Sequence, residues 1–378
     1  MKKFFILAAA ALVAIAACSK NEADTASYEK SKVINFNTVA GKATKAPITG
    51  TTYSYDLPSF GVFAWYLASG NWNTAAANSS AVSYMDDVEI RFDDDKDIWA
   101  PHNGTDAFVN YYWPLEGKLT FIAYSPKSAA TATFSNAGVL TLTGFTVNTT
   151  VANQVDLLYS AIAADKTKND DYYEDTAHSK NSETSGENKG VNIEFKHALS
   201  QVIFQAKTAD EVYDAGYSFK VNTITVNAAS TATSMTVTNP TTTQLASAIT
   251  TWNSPGTNVN YAVSSTAFPA AANTYLTKTL SDPIGAPLLM IPVTAFATTD
   301  PTVTINYTMY RTDDNQALGS KEVTIHFDDI DDMVTAWQAG KKYVYNLTID
   351  LQKIYFNPSI VDWADGGSQD VDVPNDAA

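Results

Sequence analysis

The segment Leu119-Thr120-Phe121-Ile122-Ala123-Tyr124 places Leu, Phe and Ala on one parity and Thr, Ile and Tyr on the other. In an extended chain the two sets point to opposite faces, and both are largely apolar, so this is expected to be a central strand covered on both sides. On either side of it, short β-branched and aromatic runs recur between clusters of Gly, Pro, Asn, Asp and Ser, without long helical periodicity. Strands are expected at 33–39, 59–66, 88–92 and 139–147, and near 156–159. They resume at 191–207, 217–226, 234–238, 288–296, 302–310, 321–327 and 341–351. Helix is expected only in short pieces, at 243–252 and 332–338. A polar loop at 165–190 divides the chain into halves, 31–190 and 191–378, each long enough for a sandwich core. The expectation is an all-β protein.

Composition narrows the function. Lys and Arg total 24 against 40 Asp and Glu, a net charge of −16, and Arg91 and Arg311 are the only arginines. A nucleic-acid binder needs a basic footprint to displace counterions from phosphates, so the balance speaks against one. With 45% hydrophobic and 17% charged residues the chain can bury large cores. Cys18 is the single cysteine, which leaves no disulfide framework, thiolate cluster or mid-chain Cys nucleophile. There is no HExxH, phosphate loop or GxSxG, so an enzyme is not expected, nor is any metal or cofactor. Carboxylate pairs abound, but nothing singles out a glycosidase dyad. Asp93, Asp95 and Asp97 share the opening spacing of a calcium loop, yet Ile98 stands where Gly is needed and Gly104 where a bidentate Glu belongs. They read as a solvated acidic turn. His197 and His326 lie in apolar strand-like stretches and read as packed side chains.

Lys2 and Lys3 followed by the apolar run Phe4–Ala17 read as an export signal, too short for the ~20 residues that span a bilayer. The run closes on Ile15-Ala16-Ala17-Cys18, which resembles the bacterial lipobox. That resemblance implies cleavage between Ala17 and Cys18, acylation of Cys18, and a polar tether over 18–30; an ordinary secretory signal with a coincidental cysteine is the alternative. Asp24-Thr25-Ala26 and Asp175-Thr176-Ala177 are similar to bacterial O-glycosylation triplets.

Further segments, in one order along the chain, resemble the fimbrillin family, the type V pilus subunits of Bacteroidetes. They are Tyr111-Tyr112-Trp113-Pro114, Phe121-Ile122-Ala123-Tyr124-Ser125-Pro126, Asp156-Leu157-Leu158-Tyr159, Phe195-Lys196-His197-Ala198-Leu199, Trp337 to Leu347 and Ile360-Val361-Asp362-Trp363. The resemblance implies two tandem transthyretin-like antiparallel β-sandwich domains after a lipoprotein signal peptide (1–17). It also implies an outer-membrane lipoprotein trimmed by a trypsin-like surface protease and polymerised into a fimbrium by donor-strand exchange. By position the cut falls between Lys45 and Ala46, where the family's usual residue is arginine. The removable strand is 31–45, anchored by Ile34 and Phe36 on one face.

The candidate donor lies within 353–378. Ile354, Phe356 and Ile360 share one parity, and Val361 and Trp363 the other; Val371 and Val373 alternate in the tail beyond. A final strand docked on its own domain is the alternative. The implied partners are other fimbrial subunits, the surface protease, the outer membrane through the lipid anchor, and a host or bacterial adhesion ligand. Two other readings stay open: a fimbrial anchor or tip adhesin, and a non-polymerising surface lipoprotein that stacks glycans on Trp65, Trp72, Trp99 or Trp113.

Overall fold

The computed structural model describes residues 33–39, 59–72, 77–95, 98–105, 107–168, 190–240, 249–263, 275–296, 301–330 and 334–363. These lie in one compact unit, Lys32–Ala378. The strands in chain order begin with β1 (Phe36–Val39), β2 (Phe60–Leu67), β3 (Val82–Asp93), β4 (Ile98–His102), β5 (Lys118–Ser125), β6 (Thr131–Phe134) and β7 (Val139–Thr143). Next come β8 (Leu158–Ser160), β9 (Ala163–Lys166), β10 (Val191–His197), β11 (Ser200–Thr208), β12 (Tyr217–Ala229), β13 (Ala232–Thr238) and β14 (Thr250–Pro255). The last are β15 (Asn258–Val263), β16 (Leu288–Met290), β17 (Thr302–Arg311), β18 (Ala317–His326), β19 (Lys341–Ile349) and β20 (Ile354–Asp362). The short helix α1 (Asp210–Asp214) and 3-10 turns at Ala77–Ser80, Lys127–Ala129, Val151–Asn153 and Phe327–Asp329 interrupt them.

The first sheet runs β2-β3-β4-β1-β10-β8-β5 and then meets itself, because β2 also pairs with β5; β9 hangs on β5 outside the ring. The first sheet is therefore a closed ring, built from strands of the N-terminal half and completed by β10. Two four-stranded sheets, β16-β11-β19-β20 and β15-β12-β17-β18, direct their inner residues into one shared core. In it Phe204 stacks on Tyr345 at 5.6 Å and Phe219 meets Tyr307 edge-on at 5.5 Å. The fourth sheet, β14-β13-β7-β6, takes two strands from each half, with Met235–Thr238 of β13 paired to Val139–Leu142 of β7.

Most of the pairings are antiparallel, but β1 runs parallel to β10 and β11 runs parallel to β19. A parallel pair needs a long crossover, and in each case most of one half of the chain intervenes. The segment 119–124 is central, as its two apolar parities require. Leu119, Phe121 and Ala123 fill the interior of the ring, while Ile122 and Tyr124 face outward into the core shared with the C-terminal half.

Several local expectations are corrected. The expected strand 191–207 is two strands, broken at Ala198-Leu199, with β10 closing the first sheet and β11 opening the second. Of 288–296 only Leu288–Met290 is strand. Thr250–Trp252 belong to β14 rather than to a helix; Trp252 is buried and its Nε1 donates to Ala198 O at 3.0 Å. Residue 249 is helical, residues 243–248 of that expected helix lie outside the described residues, and so do 332 and 333 of the other. Val334–Gln338 are not helical, because Trp337 bridges Val293 through main-chain bonds of 2.8 and 3.0 Å while its indole donates to Tyr345 Oη. Tertiary burial of a tryptophan overrides weak local propensity at both places.

Candidate functional site

The short strand β1 is the piece that closes the N-terminal ring. On one side it pairs with β10 over Phe36–Val39, matched to Val191–Glu194; on the other it meets β4 at one position, Phe36 opposite Trp99. Just before it, Ile34 N–H donates to Tyr111 O at 2.8 Å, Val33 bridges Tyr112, and Asn35 O accepts Val191 N–H at 2.8 Å. The hydrogen-bonded hold is short. The side-chain hold is not: Ile34 is 0% exposed and Phe36 1% exposed, and Phe36 packs edge-on against Phe60 at 6.2 Å and Phe121 at 5.7 Å. Burying these two side chains is worth about 3–6 kcal/mol.

Gly190 shapes the floor of this seat. Its φ is +144°, and a Cβ there would lie 2.3 Å from Asn35 O and 2.7 Å from Phe36 N. Only a residue without a side chain lets the occupying strand come this close. Sequence reading found Ile34 and Phe36 by their shared parity. It missed Gly190 and named Trp99 only as a stacking platform, because the place of each depends on partners far away in sequence; a glycine abutting the start of a strong strand was the one local sign of Gly190.

At the other end, β20 lies on β19 in an unbroken antiparallel register, Ile349 opposite Ile354 through Lys341 opposite Asp362. It is an edge strand of its own sheet. Ile354 and Phe356 pack half-buried against the core, Val361 is half-buried, and Tyr355 and Ile360 are exposed. Trp363, just beyond, is buried and lies flat on the His197 ring, 3.8 Å apart with 5° between planes. His197 Nδ1 is 2.8 Å from Asp156 Oδ2. The structure thus brings Ile34 and Phe36 together in one core and puts Ile354, Phe356, Ile360 and Val361 on a different sheet. Ala17, Cys18, Lys45, Ala46, Val371 and Val373 lie outside the described residues.

The two terminal strands share a pattern. Ile34-Asn35-Phe36-Asn37 and Ile354-Tyr355-Phe356-Asn357 are both Ile-x-Phe-Asn. One copy is fully buried at its anchors and the other only half.

The tryptophans offered as glycan platforms do other work. Trp65 Nε1 donates to Phe134 O at 3.3 Å, Trp72 stacks on Phe134 at 5.9 Å, and Trp99 and Trp113 are buried in the ring. Asp93 Oδ1 accepts Asp95 N–H within its turn, and Asp97 lies outside the described residues. Among the described residues, no three His, Cys, Asp or Glu side chains gather as a metal site would require.

The described residues form a predominantly antiparallel all-β fold in which a short N-terminal strand completes a closed ring. A family model described as fimbrillin-like matches residues 44–363, from just past β1 to Trp363, and the chain belongs to that family. Among solved structures, a fimbrial protein from Bacteroides vulgatus is similar at 19% identity, covering 88% of this chain and 99% of that one with a TM-score of 0.53. This is a likeness of fold. More distant are a candidate cell-adhesion protein from Bacteroides uniformis and the fimbrial anchor protein Mfa2 from Porphyromonas gingivalis. The first has 15% identity, coverage of 88% and 98%, and a TM-score of 0.46. The second has 8% identity, coverage of 88% and 98%, and a TM-score of 0.28. No curated protein sequence is a significant match. With the family goes the coarse assignment of a structural subunit of surface fimbriae.

Proposed function

We propose that the chain is a fimbrial subunit delivered to the outer membrane as a lipoprotein on Cys18. In this reading it is trimmed between Lys45 and Ala46 and joined to its neighbours when a C-terminal segment of another subunit replaces β1. The observation that carries the reading is the seat of β1. The strand closes a ring, its hold comes chiefly from two buried side chains, and a single connection ties it to the rest of the chain. While that connection is intact, any departure is intramolecular and quickly reversed. Once it is cut, an extended segment of a second subunit competes on equal terms, with main-chain bonds for affinity and inward side chains for register.

The shared Ile-x-Phe-Asn pattern supplies a register for the exchange, with Ile354 and Phe356 in the places of Ile34 and Phe36. Pro358 then falls on Thr38. Because Asn35 O faces Val191, the main-chain groups of 35, 37 and 39 turn toward β10 and those of 36 and 38 turn away, so a proline at 38 costs no bond to β10. Ile354 and Phe356 would pass from half-buried to fully buried, which favours the exchange and offsets part of the cost of leaving β19. Val371 and Val373 are the alternative donor. In this scheme 31–190 is the accepting domain and 191–378 the donating one, with β10 of the second range completing the ring of the first.

N-terminal sequencing of the surface-exposed protein tests the proposal. A chain beginning at Ala46 is the expected result, and a surface form that keeps acylated Cys18 joined to β1 would overturn trimming as the trigger.

A further inference from the structure

β1 and Trp363, the residue just after β20, both lean on β10. Its first part, Val191–Glu194, is paired with β1, and its last residue, His197, is the platform for Trp363 at the root of the C-terminal segment. On its other edge β10 pairs with β8 only over Phe195–His197, and Glu194 O accepts Ala161 N–H at 2.9 Å. Among the described strands, then, β1 is the sole ladder neighbour of Val191–Ile193. A second path runs through side chains: Phe36 packs on Phe60, and Phe60 packs edge-on against Phe195 at 5.5 Å, two residues before His197.

The hold on Trp363 is of a kind that such a path can loosen. Its N–H donates to Gly340 O at 2.9 Å, but its buried indole Nε1 has no hydrogen-bond partner among the described residues. Buried Asp156 uses one carboxylate oxygen on His197, and the other has no partner there. Beyond that main-chain bond and its burial in the core, the Trp363 indole is positioned by flat contact with a ring whose orientation depends on β10 and one carboxylate. A face-to-face stack weakens sharply when one ring tilts or withdraws, because dispersion falls off within an ångström.

We propose that β10 couples the two ends of the subunit: departure of β1 loosens Val191–Glu194 and with it the His197 platform, so Trp363 and the end of β20 are loosened in a subunit that has lost its N-terminal strand. An uncut subunit would then be inert at both ends, its seat filled and β20 held at home. The biological use of this coupling rests on the strand-exchange reading; the coupling itself is a property of one chain.

Coupling between two sites is reciprocal, and 5–150-fold effects are typical. Hydrogen exchange of the full uncut chain tests it from both directions. In Trp363→Ala, exchange of the β1 amides should rise about tenfold; in Phe36→Ala, exchange at the end of β20 should rise by a similar factor. Tyr355→Ala, on the exposed face of β20, should leave β1 unchanged. Protection of β11 and β17 reports that the rest of the fold is intact. Should Trp363→Ala lose that protection, His197→Phe keeps a flat ring while removing the bond to Asp156, and a smaller rise at β1 is expected. Faster exchange along β20 with no change at β1, in whichever variant keeps its fold, would overturn the coupling. Reciprocal acceleration in a chain that forms no polymer after cutting would leave the coupling standing and count against strand exchange alone.

Discussion

β1 and β20 carry the same four-residue pattern and are held in opposite ways. β1 is paired over four residues with β10 and at one with β4, but its Phe36 and the Ile34 just before it are sealed in a core. β20 is paired over nine residues with β19, but its Ile and Phe are only half covered, and its outer face shows Tyr355 at 46% exposure. One strand is anchored by side chains, the other by backbone. Ladder bonds are nearly indifferent to sequence, whereas buried side chains select what sits above them. The ring seat can therefore be specific for its occupant, while the place on β19 mainly needs a strand. That contrast is what the proposed strand exchange requires: a selective socket at one end and a plug that is not irreversibly bound at home.

The sharpest way to break the contrast is at the two phenylalanines. Phe36→Ala should cost about 3–5 kcal/mol in chemical denaturation of the uncut chain, as for a fully buried phenylalanine. Phe356→Ala should cost about 1 kcal/mol in the same measurement, since the ring is half exposed. Equal losses would mean that the two strands are held alike. In assembly the ranking should reverse its meaning: Phe356→Ala should suppress polymer on gels of cut protein despite its small effect on the monomer.

A smaller effect tests the seat itself. Gly190→Ala puts a methyl against Asn35 O in a backbone region that disfavours side chains, and should cost about 1–3 kcal/mol. Since the clash is with the main chain, it should also weaken an incoming strand, which can be read as slower assembly after cutting. Normal assembly in Gly190→Ala would mean that the donor does not follow the path of β1.

The smallest concerns pH. Burial pulls the Glu89 carboxyl upward, but the Ser59 hydroxyl bond at 2.5 Å and the Arg91 guanidinium outweigh it and hold the group below its ordinary value. A depressed carboxylate stabilises the fold above its unfolded-state pKa, and that contribution is lost as pH falls through its folded value. Glu89→Gln should therefore lower stability at neutral pH and flatten its fall below about pH 4.5, measured by denaturant titration at each pH.

Much of this was legible from residues alone, and the reasons differ by element. The two-sided apolar alternation of 119–124 predicted a central strand because the period of 2 is a local property. Ile34 and Phe36 were visible for the same reason. The split of 191–207 at Ala198-Leu199 was not, since an uninterrupted apolar run carries no mark of the sheet to which each part belongs. The sheet formed by β6, β7, β13 and β14 joins the two halves through pairings about a hundred residues apart, beyond any local signal. Of the helices expected at 243–252 and 332–338, the described ends Thr250–Trp252 and Val334–Gln338 are not helical, because the burial and indole hydrogen bonds of Trp252 and Trp337 decide the backbone there.

The most direct measurement starts from the full chain with a site-specific protease sequence in place of residues 42–45. After cutting, fluorescent peptides spanning 350–363 and 364–378 are added and their anisotropy followed. The 350–363 peptide should bind as the β1 fragment leaves, and should lose binding when its Ile354 and Phe356 are both alanine. Binding of the 364–378 peptide alone would move the donor to Val371 and Val373. A β1 fragment that stays in place against both peptides would contradict a refillable seat.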